Sequence, residues 1–301
     1  MFNRILVPLD GSQLSEAALP AAAALAGKLG AAVTLLHVIE RAAPQQVHND
    51  RHLSDPEEAR TYLKDVARRA FPGQILVTWH VHDSPVEDVV RSIVDHAAEL
   101  QPDLIVMCTH GRTGVRGLLY GTIAQQVVAQ GNTPLLLVKP ASPPFKLERL
   151  LVPLDPGSLH DISLPAAEEL ARAYEAELYL FSVIPTLGTL SGDEAAAGTL
   201  LPATAIALLE LREENTRLDL QRHLDVLRAS GLRAVAESAR GDPVPIILQA
   251  AERTGADLIV LSTHRRAGAS AFWARSVAPK IANRALVPIL LIPLDATADR
   301  S

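Results

Sequence analysis

Leu6-Val7-Pro8-Leu9-Asp10 recurs as Leu151-Val152-Pro153-Leu154-Asp155, and Ala18-Leu19-Pro20-Ala21 recurs as Ser163-Leu164-Pro165-Ala166, both at a separation of 145 residues. Further on, Asp103-Leu104-Ile105-Val106 returns as Asp257-Leu258-Ile259-Val260, Thr109-His110 as Thr263-His264, and Pro134 as Pro288, now at a separation of 154. A chain of 301 residues that repeats itself at this distance folds twice into one kind of unit of ordinary domain size. The extra residues of the second copy, nine by the difference of 154 and 145, lie between the two sets of matches. Lys139-Pro140-Ala141-Ser142-Pro143-Pro144 stands between the copies, and prolines at this density hold neither a helix nor a central strand. We therefore expect a first domain at 1–140, a Pro-rich linker at 141–148 and a second domain at 149–301.

Within the first copy, short apolar runs at Ile5–Leu9, Val33–Val38, Ile75–His80, Leu104–Met107 and Leu135–Val138 alternate with segments of helical spacing near 12–28, 56–70, 85–99 and 122–130. Alternation of this kind predicts an α/β fold with a parallel sheet, here two tandem doubly wound five-stranded parallel-sheet domains. Ser54-x-x-Glu57 with Pro56 predicts one helix start and Ser84-Pro85 another, while Gly30 predicts a helix stop. The connection from Ile39 to Asp55 reads as exposed and polar. Its counterpart from Ile184 to about Pro202 is longer and mixes glycine with apolar residues, which predicts a packed loop.

Composition narrows the partners. A net charge of -6 gives no basic face for nucleic acid or an anionic membrane, so neither is expected as a partner. A single cysteine cannot form an internal disulfide, no apolar run reaches the length of a membrane span, and the chain runs directly into Arg4-Ile5-Leu6-Val7; a cytoplasmic protein is expected. Aromatic residues make up only 4% of the chain, so the core must be filled by Ala, Leu, Val and Ile.

The chemistry gathers in Met107–Thr122, MCTHGRTGVRGLLYGT, which follows an apolar strand and precedes a helical segment. Gly111, Gly114, Gly117 and Gly121 allow close backbone approach, the following helix start offers unpaired N–H groups to an anion, and Arg112 and Arg116 add positive charge. The stretch resembles the nucleotide loop of the universal stress protein family, G-x2-G-x9-G-[ST]. Gly111, nine residues, and Gly121-Thr122 fit its second and third elements, and Cys108 stands where the first glycine is expected. With Leu-Val-Pro-Leu-Asp and the Asp-Leu-Ile-Val strand in the same order, the resemblance covers nearly the whole chain, twice.

This resemblance implies a Rossmann-like domain of strand order 3-2-1-4-5 that binds ATP or a related adenine nucleotide, with Mg2+ through the phosphates. It implies contacts from Pro8, Asp10, Val38, Met107, Gly111, Gly121, Thr122 and Ile123, with Cys108, His110, Arg112 and Gly114 belonging to the same loop region. Pro8 would line the base, Val38 would bond the adenine edge through its backbone, and Asp10 would meet the ribose or base side. From the residues alone, Asp10 before Gly11-Ser12 is equally a helix cap, His110 reads as a loop-fixing hydrogen bonder, and Cys108 at a buried strand end reads as a quiet thiol. No metal site is expected: His48 with His52, and His80 with His82, are pairs without a third ligand, and solvated histidines are the reading taken. Motifs of P-loop ATPases, dinucleotide dehydrogenases and α/β-hydrolases are absent from the sequence. The loop holds no carboxylate between Met107 and Thr122 to align a water, so any hydrolysis would be slow.

The copies are unequal. At a separation of 154, Gly111 becomes Arg265, Gly117 becomes Ala271, Gly121 becomes Arg275 and Thr122 becomes Ser276. Arginines where bare backbone must approach a phosphate predict a second half without the nucleotide site; the alternative is that Arg265, Arg266 and Arg275 hold another anion. The family resemblance also implies self-association through the last strand of each half, Thr133–Val138 and Val287–Ile292, as an intrachain pseudo-dimer or a homodimer. Three functions stay open at this point: a nucleotide-dependent switch, an interaction module with both pockets vestigial, and a slow ATPase.

Overall fold

The computed structural model describes residues 1–41, 43, 46–47, 50–108, 122–140, 145–155, 162–190, 193–264 and 277–294. Over the first copy the elements are β1 (Arg4–Pro8), α1 (Gln13–Glu16), α2 (Leu19–Leu29), β2 (Ala32–Glu40), β3 (Gln46–Val47), β4 (Asp50–Arg51), α3 (Pro56–Ala70), β5 (Val77–Val86), α4 (Val89–Leu100), β6 (Leu104–Cys108), α5 (Thr122–Gln130) and β7 (Leu135–Val138). Over the second they are β8 (Arg149–Leu154), α6 (Ser163–Tyr174), β9 (Glu177–Ile184), α7 (Asp193–Leu200), α8 (Pro202–Ala229), β10 (Ala234–Arg240), α9 (Pro243–Thr254), β11 (Leu258–His264), α10 (Val277–Arg284) and β12 (Ile289–Leu294). The chain forms two compact units, one of Met1–Lys146 with Thr263–Ser301 and one of Leu147–Ser262.

In the first unit the sheet runs β12-β7-β6-β1-β2-β5. The five strands of the first copy are parallel and follow the expected 3-2-1-4-5 order, since β5, β2, β1, β6 and β7 are its third, second, first, fourth and fifth principal strands. β12 joins this unit antiparallel to β7, with Ile289 opposite Leu137 and Leu291 opposite Leu135. In the second unit β10-β9-β8-β11 repeat the 3-2-1-4 order with parallel pairing. Strands such as β6 and β7 are buried along their whole length, as parallel strands covered by helices on both faces must be. Aliphatic residues fill most of the core; Phe2 and Phe181 are its fully buried aromatics among the described residues.

A carboxylate of the repeated Asp-Leu-Ile-Val motif holds each copy's first strand. Asp103 accepts from the backbone N–H groups of Asn3 and Arg4 at 2.9 and 3.0 Å, and Asp257 accepts from those of Glu148 and Arg149 at 2.8 and 3.1 Å. The motif is repeated because each copy needs the same clamp between its first and fourth strands.

Several local expectations shift. Ser84-Pro85 does not open a helix: β5 continues to Val86, and α4 begins at Val89, capped by Asp88, whose side chain accepts from the Arg91 N–H at 2.9 Å. Pro85 is tolerated there because β5 is an edge strand of the first unit's sheet, where a missing N–H breaks no central ladder. Asp55 rather than Ser54 caps α3, accepting from Glu58 N–H at 2.8 Å ahead of Pro56. The first helical segment is split into α1 and α2, with Pro20 in the first turn of α2, while Gly30 ends α2 as expected at φ 69°.

The Ile39–Asp55 connection is not a free polar loop where it is described. Ile39, His52 and Leu53 are buried, Asp50 accepts from Gln13 N–H at the start of α1 at 2.8 Å, and His37 reaches the Leu53 carbonyl at 3.0 Å. Part of the 184–202 connection forms α7, leaving Leu187, Leu200 and Leu201 exposed. Among the described residues no helix is long and apolar enough to cross a membrane.

Candidate functional site

β1 lies between β2 and β6, and the chain reverses its direction of winding here: it leaves β1 toward β2 and β5, then returns to β6 and β7. Such a reversal leaves a crevice beyond the strand ends, the place where open α/β sheets hold ligands. Pro8 and Asp10 stand at the end of β1, Val38 near the end of β2, and Met107 and Cys108 at the end of β6. Neutral thiol and carboxylate are close: burial, and after it the negative charge of Asp10, push the Cys108 thiol up to about 12. Cys108 is therefore a protonated thiol at neutral pH, in line with its reading as a quiet residue.

Asp10 and Ser12 divide the capping role that the sequence allowed Asp10 to hold. Ser12 caps α1, its Oγ accepting from Ser15 N–H at 3.1 Å, and Asp10 Oδ1 accepts from the Ser12 N–H and hydroxyl at 2.9 and 2.7 Å. Gly11 makes the turn between them at φ 89°, and a Cβ there would lie 2.7 Å from Cγ and Cδ1 of Leu53. Only glycine suits this position, because left-handed backbone and the approach of Leu53 both exclude a side chain.

The backbone of β2 alternates between its two neighbours. Ala32 and Leu36 bond toward β1, through Ala32 N–H to Asn3 O at 2.9 Å and Leu9 N–H to Leu36 O at 2.8 Å, while Val33 N–H bonds away to Leu76 O at 2.8 Å. Val38 follows Leu36 by two, so its amide and carbonyl face the β1 side beyond the strand's end. Its side chain is buried, as are those of Met107 and Cys108.

Thr122 is the first residue of α5 and Ile123 is exposed on it, while Ala124, Val127 and Val128 turn into the core. His110, Gly111, Arg112, Gly114 and Gly121 lie outside the described residues, as do Arg116 and Gly117, and in the second half Arg265, Arg266, Ala271, Arg275 and Ser276.

Sequence reasoning missed His37. It is buried in β2, with Nδ1 2.8 Å from the Leu9 carbonyl oxygen and Nε2 3.0 Å from that of Leu53, and so ties the β3–β4 excursion to the end of β1. The signal was a histidine, the one ionisable residue inside Val33-Thr34-Leu35-Leu36-His37-Val38-Ile39. Ser182 takes this place in the second unit, reaching the Leu154 carbonyl at 3.0 Å. Asp155, the counterpart of Asp10, is exposed and lies near the Arg212 guanidinium of α8; that cation is held above its ordinary range by its bond to Glu194, with a further contribution from Asp155.

The reading of the histidines as solvated is overturned for His52; His82 is half-buried, and His80 is exposed. His52 is buried, with Nε2 4.0 Å from a Glu40 carboxylate oxygen. His80 and His82 on β5 meet His96, a buried residue of α4 that no pair spacing disclosed. Burial, then the neighbouring His96 and His82, lower the pKa of His80. His48 lies outside the described residues.

Comparison with known proteins gives a consistent result. The family model described as "Universal stress protein family" matches residues 1–139 and again 146–293. A universal stress protein of Methanocaldococcus jannaschii is 29% identical over 145 residues, covering 46% of this chain and 83% of its own length. The universal stress protein YxiE of Bacillus subtilis is 28% identical over 152 residues, covering 46% of this chain and all of its own. In fold, the crystal structure of a universal stress protein from Archaeoglobus fulgidus covers 99% of this chain and 98% of its own with a TM-score of 0.74 at 20% identity. Matched by one family model in each of its halves, the chain belongs to the universal stress protein family.

Proposed function

We propose that the first half binds an adenine nucleotide, ATP with Mg2+ held through its phosphates, and that binding changes a surface presented to a partner. The observation that carries this reading is the meeting of Pro8, Asp10, Val38, Met107 and Cys108 at the winding reversal between β1 and β6, immediately before the glycine-rich stretch. The residues suit the ligand. Val38 turns backbone donor and acceptor groups toward the crevice, as an adenine edge requires; a carboxylate at Asp10 suits ribose hydroxyls better than phosphates. The start of α5 at Thr122 supplies N–H groups for the phosphates, and a neutral Cys108 adds no charge against them.

Binding rather than turnover is the proposed activity, because the stretch from Met107 to Thr122 has no carboxylate to align a water. In the second half, the Arg212 charge beside Asp155 and the arginines at 265 and 275 support a copy without the nucleotide site, so one nucleotide per chain is expected.

Isothermal titration of ATP with Mg2+ into the full chain tests this. One nucleotide bound per chain, lost in Gly121→Arg, is the expected outcome; two per chain, or binding that survives the substitution, would overturn it. Phosphate release in the same samples separates a slow ATPase from a binding switch. A second reading, an interaction module, is favoured by one observation: Leu187, Leu200 and Leu201 stand exposed around α7. Absence of ATP binding would select it.

A further inference from the structure

We propose that His80, His82 and His96 form a site for a borderline divalent transition-metal ion of the zinc type. Alternation along β5 puts His80 and His82 on one side of that strand, and α4, started at a fixed place by the Asp88 cap, brings His96 to them. One ring nitrogen from each of the three lies within 4.8 Å of the others. His96 Nε2 is 3.0 Å from His82 Nδ1, and the His96 ring centroid is 4.6 Å from that of His80 and 5.1 Å from that of His82.

Three imidazoles around a tetrahedral ion at Zn–N bonds of roughly 2.0–2.1 Å place their nitrogens about 3.4 Å apart. The His96–His82 pair at 3.0 Å is already near that value and all three nitrogens lie within 4.8 Å, so side-chain rotations can close the set. Three histidines leave a fourth position for water or an outside ligand, the composition of an open site.

The support around the ligands is what separates this cluster from histidines that merely touch. His96 Nδ1 lies 3.1 Å from a Glu99 carboxylate oxygen, which fixes the ring and leaves Nε2 to face His82. A carboxylate behind a histidine is the arrangement that orients metal ligands and raises their basicity. His96 is buried while His80 is exposed, so the site has a rigid floor and an open entry. Asp83, the nearest carboxylate on β5, is engaged by Arg60 at 3.1 Å, leaving an all-nitrogen donor set that suits zinc, cobalt or nickel better than magnesium or calcium. The matching elements of the second unit, β10 and α9, contain no histidine.

The test uses the full, untagged chain stripped with a chelator, then titrated with Co2+ by its ligand-field absorbance and with Zn2+ by calorimetry against a competing chelator. The expected result is one ion per chain with the intense visible spectrum of a four-coordinate cobalt site. His80→Ala, exposed and so compatible with folding, should abolish that spectrum, and Glu99→Gln should weaken Zn2+ binding by about 10–100-fold. Metal-free circular dichroism and thermal unfolding of His80→Ala should match the parent, while added Zn2+ should raise the midpoint of the parent alone. No ion bound, the weak spectrum of hydrated cobalt, or equal affinity in His80→Ala and His82→Ala would overturn the proposal.

Discussion

Gly11 shows how much one residue without a side chain can carry. It turns the chain from β1 into α1 at φ 89°, and Leu53 of the returning excursion packs where a Cβ would stand, 2.7 Å away. Gly11→Ala should therefore destabilise the first unit by about 1–3 kcal/mol, the cost of a strained backbone position, in urea unfolding followed by circular dichroism. In a double-mutant cycle Gly11→Ala should cost less in a Leu53→Ala background than in the parent, because the contact is relieved and only the backbone strain remains. A neutral result for Gly11→Ala would mean that the turn tolerates a side chain. The same residues were partly legible beforehand: Asp10-Gly11-Ser12 reads as a helix start, but the cap falls on Ser12 because Asp10 accepts its N–H and hydroxyl. Which of two adjacent oxygens caps a helix is settled by the path of the turn, and that depends on Leu53.

At the scale of elements, the repeated Asp of Asp-Leu-Ile-Val is a clamp between strands. Asp103 and Asp257 each accept two backbone N–H groups at the start of the neighbouring first strand, about a hundred residues earlier in sequence. Hydrogen bonds to a charged group are stronger than neutral ones, but these are exposed, so Asp103→Ala should cost about 1–2 kcal/mol, and Asp257→Ala a similar amount in its own unit. Denaturant midpoints of the two variants check this, and no change in either would show the clamp to be dispensable. Strand identities and most helices were readable because hydrophobic periodicity is local. The end of β5 was not: Ser84-Pro85 carries a helix-start signal, and only the strand's position at the sheet edge lets proline remain in it.

For the molecule as a whole, pH acts through groups that burial keeps neutral. Cys108 is raised from its ordinary 9.0 to about 12 and Tyr174 from 10.0 to about 12, both chiefly by burial, and Tyr62 is raised further by burial and the Glu16 carboxylate. The folded chain thus keeps protons that the unfolded chain gives up first, and stability falls with pH wherever the unfolded state binds fewer protons. Their contribution is complete below about pH 9 and should be lost progressively as pH rises from 9 to 12, Cys108 and Tyr62 acting on the first unit and Tyr174 on the second. Urea midpoints at neutral pH and at steps above pH 9 check the sign, and Cys108→Ala should remove the earliest part of the decline. Midpoints that held constant to pH 11 would refute it.

What could be read from the residues alone is that the chain is one α/β unit written twice, that the principal strands within each copy run parallel, and that the second copy carries arginines in place of glycines in its loop. These are properties of short segments: a periodicity, a repeated phrase, a substitution at a matched position. Tertiary structure decided what distant segments do together. It placed β12 against β7, buried His52 and packed Leu53 against Gly11, and brought His96 to His80 and His82. None of these meetings has a fixed spacing along the chain, because each depends on how a crossover returns to the sheet and which side chains then exclude water between the elements.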